Sequence, residues 1–227
     1  MKEIKVPLIV LNLKIYPKAL GKQGLELAKI AESVAQESGA MIVVCPPITH
    51  LTQFAEQLEI PVFSQTVDNV STGSHTGKIS TEMINVSGAS GSLINHSENK
   101  MHLADIEGVI RDLRSYRLYT VVCTNNEAVS AASAKLNPDA IAFEPPELIG
   151  TGVSVSAAQP EIVKNNVKRI LLENPQVTPL CGAGISNAED VKKALELGTR
   201  GVLLASAYVK AKDPHALLSK MAQTLLQ

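Results

Sequence analysis

The sequence predicts an α/β fold, a closed (β/α)8 barrel, and three observations lead there. Short runs rich in Val, Ile and Leu alternate with amphipathic stretches of helical period about eight times along the chain. Most of those runs are continuously apolar, as strands covered on both faces must be. Strand then helix, repeated about eight times, favours a parallel sheet that closes on itself. The rival is an open doubly wound sheet, and its dinucleotide fingerprint is missing. Gly182-Ala-Gly184 is followed by Asn187 where the third glycine belongs.

In chain order, Leu8–Leu11 is the first strand and Gly24–Glu37 the helix that returns from it. Met41–Cys45 leads to Thr49–Leu58, Val62–Ser64 to Glu82–Val86, and Leu93–Asn95 to Leu103–Ser115. Tyr119–Cys123 leads to Glu127–Leu136, Ala140–Phe143 to Pro160–Glu173, Val177–Cys181 to Ala188–Leu197, and Val202–Ala205 to Pro214–Leu226. Thr124-Asn-Asn-Glu127, Ser156-Ala-Ala-Gln159 and Ser186-Asn-Ala-Glu189 match the capping box and follow strands, so they predict where three loops end. The polar stretch from Thr66 to Lys78 has too few apolar residues to pack on itself. A loop of that length in a compact barrel reads as a functional or interface element. No linker or low-complexity segment divides residues 1–227, which read as one domain.

Composition narrows the function. Hydrophobic residues make up 45% of the 227, aromatics only 3% with no Trp, so the core is aliphatic. The net charge is −1, without a basic run or an aromatic platform, which argues against nucleic acid as a partner. No apolar stretch approaches the ~18 residues that span a bilayer. The charged start, Met-Lys-Glu-Ile-Lys, does not resemble a signal peptide, so a cytoplasmic location is expected. Cys45, Cys123 and Cys181 each end an apolar run and read as reduced core thiols.

Active sites of barrels form at the carboxyl ends of the strands. Those ends carry Asn12 and Lys14, His96 and Glu98, Glu144, Gly182 to Gly184, and Ala205-Ser206. One ammonium, one imidazole and one carboxylate thus emerge beside loops able to hold an anion. That set suits proton transfer next to a carbonyl on a phosphorylated substrate. After Glu144 come two prolines and then Gly150-Thr-Gly152, a stiff entry with glycines at its far end, suited to closing over a phosphate.

The chain resembles the triosephosphate isomerases in their short archaeal-type form, over essentially its whole length. The resemblance is carried by Asn12-Leu-Lys14, Gly73-Ser-His-Thr-Gly77, Asn95-His-Ser-Glu98, Cys123-Thr-Asn-Asn126, Glu144-Pro-Pro-Glu-Leu-Ile-Gly-Thr-Gly152, Cys181-Gly-Ala-Gly-Ile185 and Leu203-Leu-Ala-Ser206, in the family's order. It implies a TIM barrel that interconverts dihydroxyacetone phosphate and glyceraldehyde 3-phosphate through an enediolate, with no metal or organic cofactor.

The resemblance also implies roles. Glu144 is the base, its basicity raised by desolvation, and His96 the neutral electrophile, kept uncharged by a turn or helix beginning at Ser97. Lys14 is the fixed charge and Asn12 its orienting partner, with Glu98 in support. The phosphate rests on backbone N–H groups of Ile149, Gly150, Gly184, Ala205 and Ser206. Here the sequence departs from the commoner bacterial and eukaryotic pattern, which has a serine for Gly184, a glycine pair for Ala205-Ser206 and a tryptophan for Glu147. The Thr66–Lys78 loop would lie between subunits of a homo-oligomer, dimer or tetramer, with Thr76 reaching a neighbour's site near Asn12 and His96. Two rivals are a barrel acting on another phosphorylated intermediate and a silent barrel that only binds sugar phosphates or a partner.

Overall fold

The computed structural model describes residues 2–144 and 160–227. Eight strands appear in it: β1 (Leu8–Asn12), β2 (Met41–Cys45), β3 (Phe63–Ser64), β4 (Gly91–Ile94), β5 (Tyr119–Thr124), β6 (Ala140–Phe143), β7 (Thr178–Cys181) and β8 (Gly201–Leu204). They form one sheet in the order β2-β1-β8-β7-β6-β5-β4-β3. All ladders are parallel. A parallel bridge between Val44 and Val62 joins the two ends of that order. Val44 N donates to Pro61 O there, at 3.1 Å. The sheet is therefore closed.

Around it run α1 (Gly21–Ser38), α2 (Leu51–Gln57), α3 (Thr81–Val86), α4 (Leu103–Ser115), α5 (Glu127–Lys135), α6 (Pro160–Glu173), α7 (Ala188–Glu196), α8 (Ser206–Val209) and α9 (Pro214–Leu225). The short α8 has no counterpart in the sequence reading, because four residues cannot establish a helical period. Among the described residues no helix is long and apolar enough to cross a membrane.

The continuous apolar runs have the meaning the sequence assigned them. Successive strand residues point to opposite faces, and both faces are buried. Leu8, Val10, Val43, Phe63, Leu93, Val121, Leu180 and Leu203 fill the barrel interior. Ile9, Leu11, Ile42, Val44, Val122, Ile141, Val202 and Leu204 face outward into the layer shared with the helices. Burying each such side chain stabilises the fold by about 1.5–3 kcal/mol. Cys45, Cys123 and Cys181 are free and buried. Desolvation raises all three thiols, which keeps them protonated.

Two capping boxes are corrected. Thr124 stays in β5, and its hydroxyl lies 2.6 Å from Ser130 Oγ. The cap of α5 is Asn126, whose Oδ1 accepts from Val129 N at 2.9 Å. Likewise α7 is capped by Asn187, accepting from Asp190 N at 3.1 Å, while Asp190 Oδ2 accepts from Ser186 N at 2.9 Å. That box has slid by one residue. In each case the asparagine, on an extended backbone, reaches the free amide three residues ahead in the first turn of the helix. The box at Ser156 lies outside the described residues.

From Thr66 to Lys78 the chain has no strand or helix. Its base is tied down: Asp68 N donates to Ile79 O at 2.7 Å, and the Asp68 carboxylate accepts from Ile79 N at 2.9 Å and pairs with Lys78 at 3.0 Å. Residues 71–78 are exposed.

Candidate active site

β1 ends at Asn12, which is buried. Its Oδ1 accepts from Lys14 N at 3.0 Å, a turn closed by the side chain two residues back. That turn carries Lys14 into the left-handed region, φ +48. Such a conformation costs a non-glycine residue about 1–2 kcal/mol, so it needs support from outside. Gln65 supplies it: Nε2 donates to Lys14 O at 3.1 Å and to Cys45 O at 2.9 Å, bracing the loops after β1 and β2. Lys14 Nζ then reaches Glu98 Oε1 at 2.8 Å.

The periodicity carries the fourth strand to Asn95, but β4 stops at Ile94 and Asn95 turns away at φ +59. His96 follows, buried. Its Nδ1 accepts from Glu98 N at 3.2 Å, which assigns the proton of the neutral ring to Nε2. Nε2 points to Glu144, 3.6 Å from Oε1. Residues 97 and 98 form a turn, and no helix begins before Leu103. The expected helix terminus is thus replaced by other causes. Burial first, then the Lys14 charge, lower the imidazole to about 4, with Lys100 adding and Glu98 opposing.

Glu144 is the first residue beyond β6. Its N–H donates to Thr124 O at 2.7 Å, and its side chain is buried with it. Desolvation raises the carboxyl to about 8, against the lowering effects of Lys14, Lys100 and a backbone hydrogen bond at Ser97. Oε2 has no hydrogen-bond partner among the described residues. A buried, unpaired carboxyl oxygen is expensive, and groups so displaced cluster where chemistry is done. Room for it comes from Gly182, whose N–H donates to Phe143 O at 2.9 Å. A Cβ at position 182 would lie 2.5 Å from Glu144 Cγ.

Lys14, His96 and Glu144 line one cleft with Gly184, Ala205 and Ser206. Gly184 holds φ +71, and Ser206 opens α8. Asn12 and Glu98 are bonded to Lys14 at the edge of this group. Of the expected site residues, Ile149 and Gly150 lie outside the described residues, as do the rest of the predicted closing loop and Glu147. Thr76 sits on the exposed part of the 66–78 loop and does not line the cleft. Four residues escaped the sequence reading: Gln65, Lys100, Gly182 as the space beside Glu144, and Tyr16. Tyr16 lines the cleft with Lys210 Nζ 5.0 Å from its ring centroid. A polar residue just past a strand end was the available signal for Gln65.

A family model described as triosephosphate isomerase matches residues 7–223. Over 214 residues the chain is 54% identical to the triosephosphate isomerase of Methanocaldococcus jannaschii, covering 94% of this chain and 98% of that protein. It is 49% identical over 215 residues to that of Methanothermus fervidus, covering 95% and 97%. The crystal structure of triosephosphate isomerase from Bartonella henselae shares the fold, with a TM-score of 0.74 at 18% identity over 97% of this chain and 99% of the other.

Proposed function

This chain belongs to the triosephosphate isomerase family, and we propose that Glu144, His96 and Lys14 divide the family's reaction among them. The reaction interconverts dihydroxyacetone phosphate and D-glyceraldehyde 3-phosphate, a step of glycolysis and gluconeogenesis. Glu144, with Oε2 free of partners among the described residues, takes the proton from one substrate carbon and returns it to the next. A positioned base of this kind contributes roughly 10²–10⁴ in rate. His96, neutral and with its proton on Nε2, donates to the substrate oxygens as the enediolate forms. Lys14 stabilises negative charge on the enediolate and on the phosphate, and Asn12 fixes its backbone. The amides of Gly184, Ala205 and Ser206, with those of Ile149 and Gly150, hold the phosphate.

One observation supports this division above the others. The carboxyl and the imidazole stand 3.6 Å apart, and burial displaces them in opposite directions, to about 8 and about 4. The carboxylate is thereby made a stronger base, while the imidazole stays neutral and keeps its proton on Nε2 to donate.

The working form is a cytoplasmic homo-oligomer, dimer or tetramer, of chains that each form one domain over 1–227. The 66–78 loop lies at its interface, and Thr76 reaches the neighbour's Asn12 and His96. A pinned base under an exposed tip supports that placement. The test is a coupled isomerase assay with glyceraldehyde 3-phosphate. Turnover is expected, and a chain that binds inorganic phosphate without turnover would be a silent barrel instead. Shortening the loop is expected to give a poorly active monomer, and a fully active monomer overturns the interface role.

A further inference from the structure

β4 pairs with β5 as far as Ile94 opposite Val122. One residue later the backbone of Asn95 leaves the sheet at φ +59, and the Cys123 carbonyl on β5 has no further strand residue of β4 beside it. The side chain of Asn95, a residue 6% exposed, takes that place: Nδ2 donates to Cys123 O at 2.9 Å. The other end of the same carboxamide, Oδ1, accepts from Met101 N at 2.9 Å. This closes the turn that carries His96 and Glu98. The residue after Cys123 is Thr124, whose carbonyl holds the Glu144 N–H at 2.7 Å. The imidazole's turn and the carboxylate's backbone are therefore tied to adjacent peptide units of β5, the first through a single side chain.

We propose that Asn95 is a positioning residue for the proton-transfer pair, its carboxamide setting the separation between the His96 ring and the Glu144 carboxylate. The inference rests on the roles proposed above for those two residues. The site demands three properties at once. The residue must tolerate a left-handed backbone, carry a donor and an acceptor, and be short enough to reach from the turn to the neighbouring strand. Glycine meets the first alone. Aspartate meets the first and offers only acceptors when ionised. Asparagine meets all three.

The test compares Asn95→Gly and Asn95→Asp with the wild-type enzyme. Both substitutions suit the left-handed backbone, so the change lies in the two hydrogen bonds. Asn95→Gly loses both, and kcat is expected to fall by about 10²-fold, as a displacement of roughly 1 Å in a reacting group can cause. The inhibition constant for inorganic phosphate is expected to change by less than about twofold, because the anion end of the cleft lies on β7 and β8. By ring NMR, His96 is expected to titrate above its wild-type value of about 4, towards 6.5, as it gains water. Asn95→Asp keeps the Met101 bond and loses the Cys123 bond, and its kcat is also expected to fall. A folded Asn95→Gly enzyme with wild-type kcat and an unmoved His96 titration overturns the inference. So does a loss in which phosphate affinity falls in step with kcat, since that reports general loosening. Should the glycine variant not fold, Asn95→Asp decides by the same criteria. In the wild type, protection of the Asn95 side-chain amide from hydrogen exchange is expected, and rapid exchange counts against the brace. His96→Gln and Glu144→Gln are measured alongside. Retained turnover in those two would sink the site reading itself, whereas their inactivity beside a wild-type Asn95→Gly sinks this inference alone.

Discussion

At the floor of the barrel, where strands begin, Asp139 Oδ2 accepts from Thr120 N at 2.8 Å and lies 2.7 Å from Thr120 Oγ1, which in turn accepts from Asp139 N at 2.8 Å. At the mouth, where strands end, Glu144 Oε2 and Ser97 Oγ are buried without hydrogen-bond partners among the described residues. Backbone strain divides the same way. The left-handed Arg117 and Asn137 near the floor each follow a helix C-terminus, where that conformation is routine. Lys14 and Asn95 at the mouth each follow a strand, where the conformation must be held by Asn12, Gln65 and the Asn95 carboxamide. The Asp139–Thr120 pair at the floor closes its polar groups on each other, whereas at the mouth a titratable carboxyl is held out of water, as the proposed chemistry requires. Substitutions at the mouth should therefore change rate, and substitutions at the floor should change folding.

The largest expected effect is at Glu144. Glu144→Gln removes the proposed base with little change in shape, and kcat is expected to fall by roughly 10²–10⁴. Affinity for inorganic phosphate is expected to stay within about twofold. A variant with near-normal kcat would erase the distinction between the two ends. Gly182→Ala comes next. Its Cβ would meet Glu144 Cγ at 2.5 Å, displacing the carboxylate, and kcat is expected to drop by about 10–10² while the protein remains folded. Equal losses in kcat and in phosphate binding would show that Gly182 serves the backbone rather than the carboxylate.

A pH series sharpens the comparison further. Glu144 has a folded pKa of about 8 against 4.5 unfolded. Its contribution to stability is full below pH 4.5 and lost as pH rises to 8. His96 has about 4 against 6.5. Its contribution is full above pH 6.5 and lost as pH falls to 4. Between 4.5 and 6.5 the two slopes oppose and nearly cancel, and above 6.5 the Glu144 loss stands alone. In Glu144→Gln only the imidazole's slope remains. Urea unfolding of that variant is expected to show stability rising by on the order of 3 kcal/mol from pH 4.5 to 6.5 relative to wild type. Parallel profiles for the two proteins would mean that burial does not displace Glu144. In kinetics, the acid limb of kcat/KM is expected above the ordinary carboxylate range.

The smallest effect belongs to the floor. Thr120→Val keeps the β-branched shape and removes the hydroxyl between Asp139 N and Oδ2. A loss of about 1–2 kcal/mol in urea unfolding is expected, with kcat/KM unchanged. Altered kinetics would mean that the floor communicates with the cleft.

Much of the candidate site can be read from strand ends. Asn12, Lys14, His96, Glu98 and Glu144 stand at or just past apolar runs, and the structure gathers them at one mouth together with Gly184, Ala205 and Ser206. Local details are less legible. Asn95 reads as a strand residue because the apolar run reaches it, and nothing nearby in sequence reveals that its amide reaches Cys123. Thr124 and Ser186 look like caps because the spacing fits, yet the neighbouring asparagines reach the amides instead. Gln65 gives no sign that it braces Lys14, 51 positions away.

By itself the sequence determined the barrel and its direction. A strand without a polar side must be covered twice, and that requirement is written into consecutive residues. Tertiary structure alone decided the protonation tendencies of Glu144 and His96. Displacing a carboxyl upward and an imidazole downward requires walls from β1, β4, β6 and β7 to exclude water around both groups, and desolvation is a property of an enclosure that no local pattern of residues encodes.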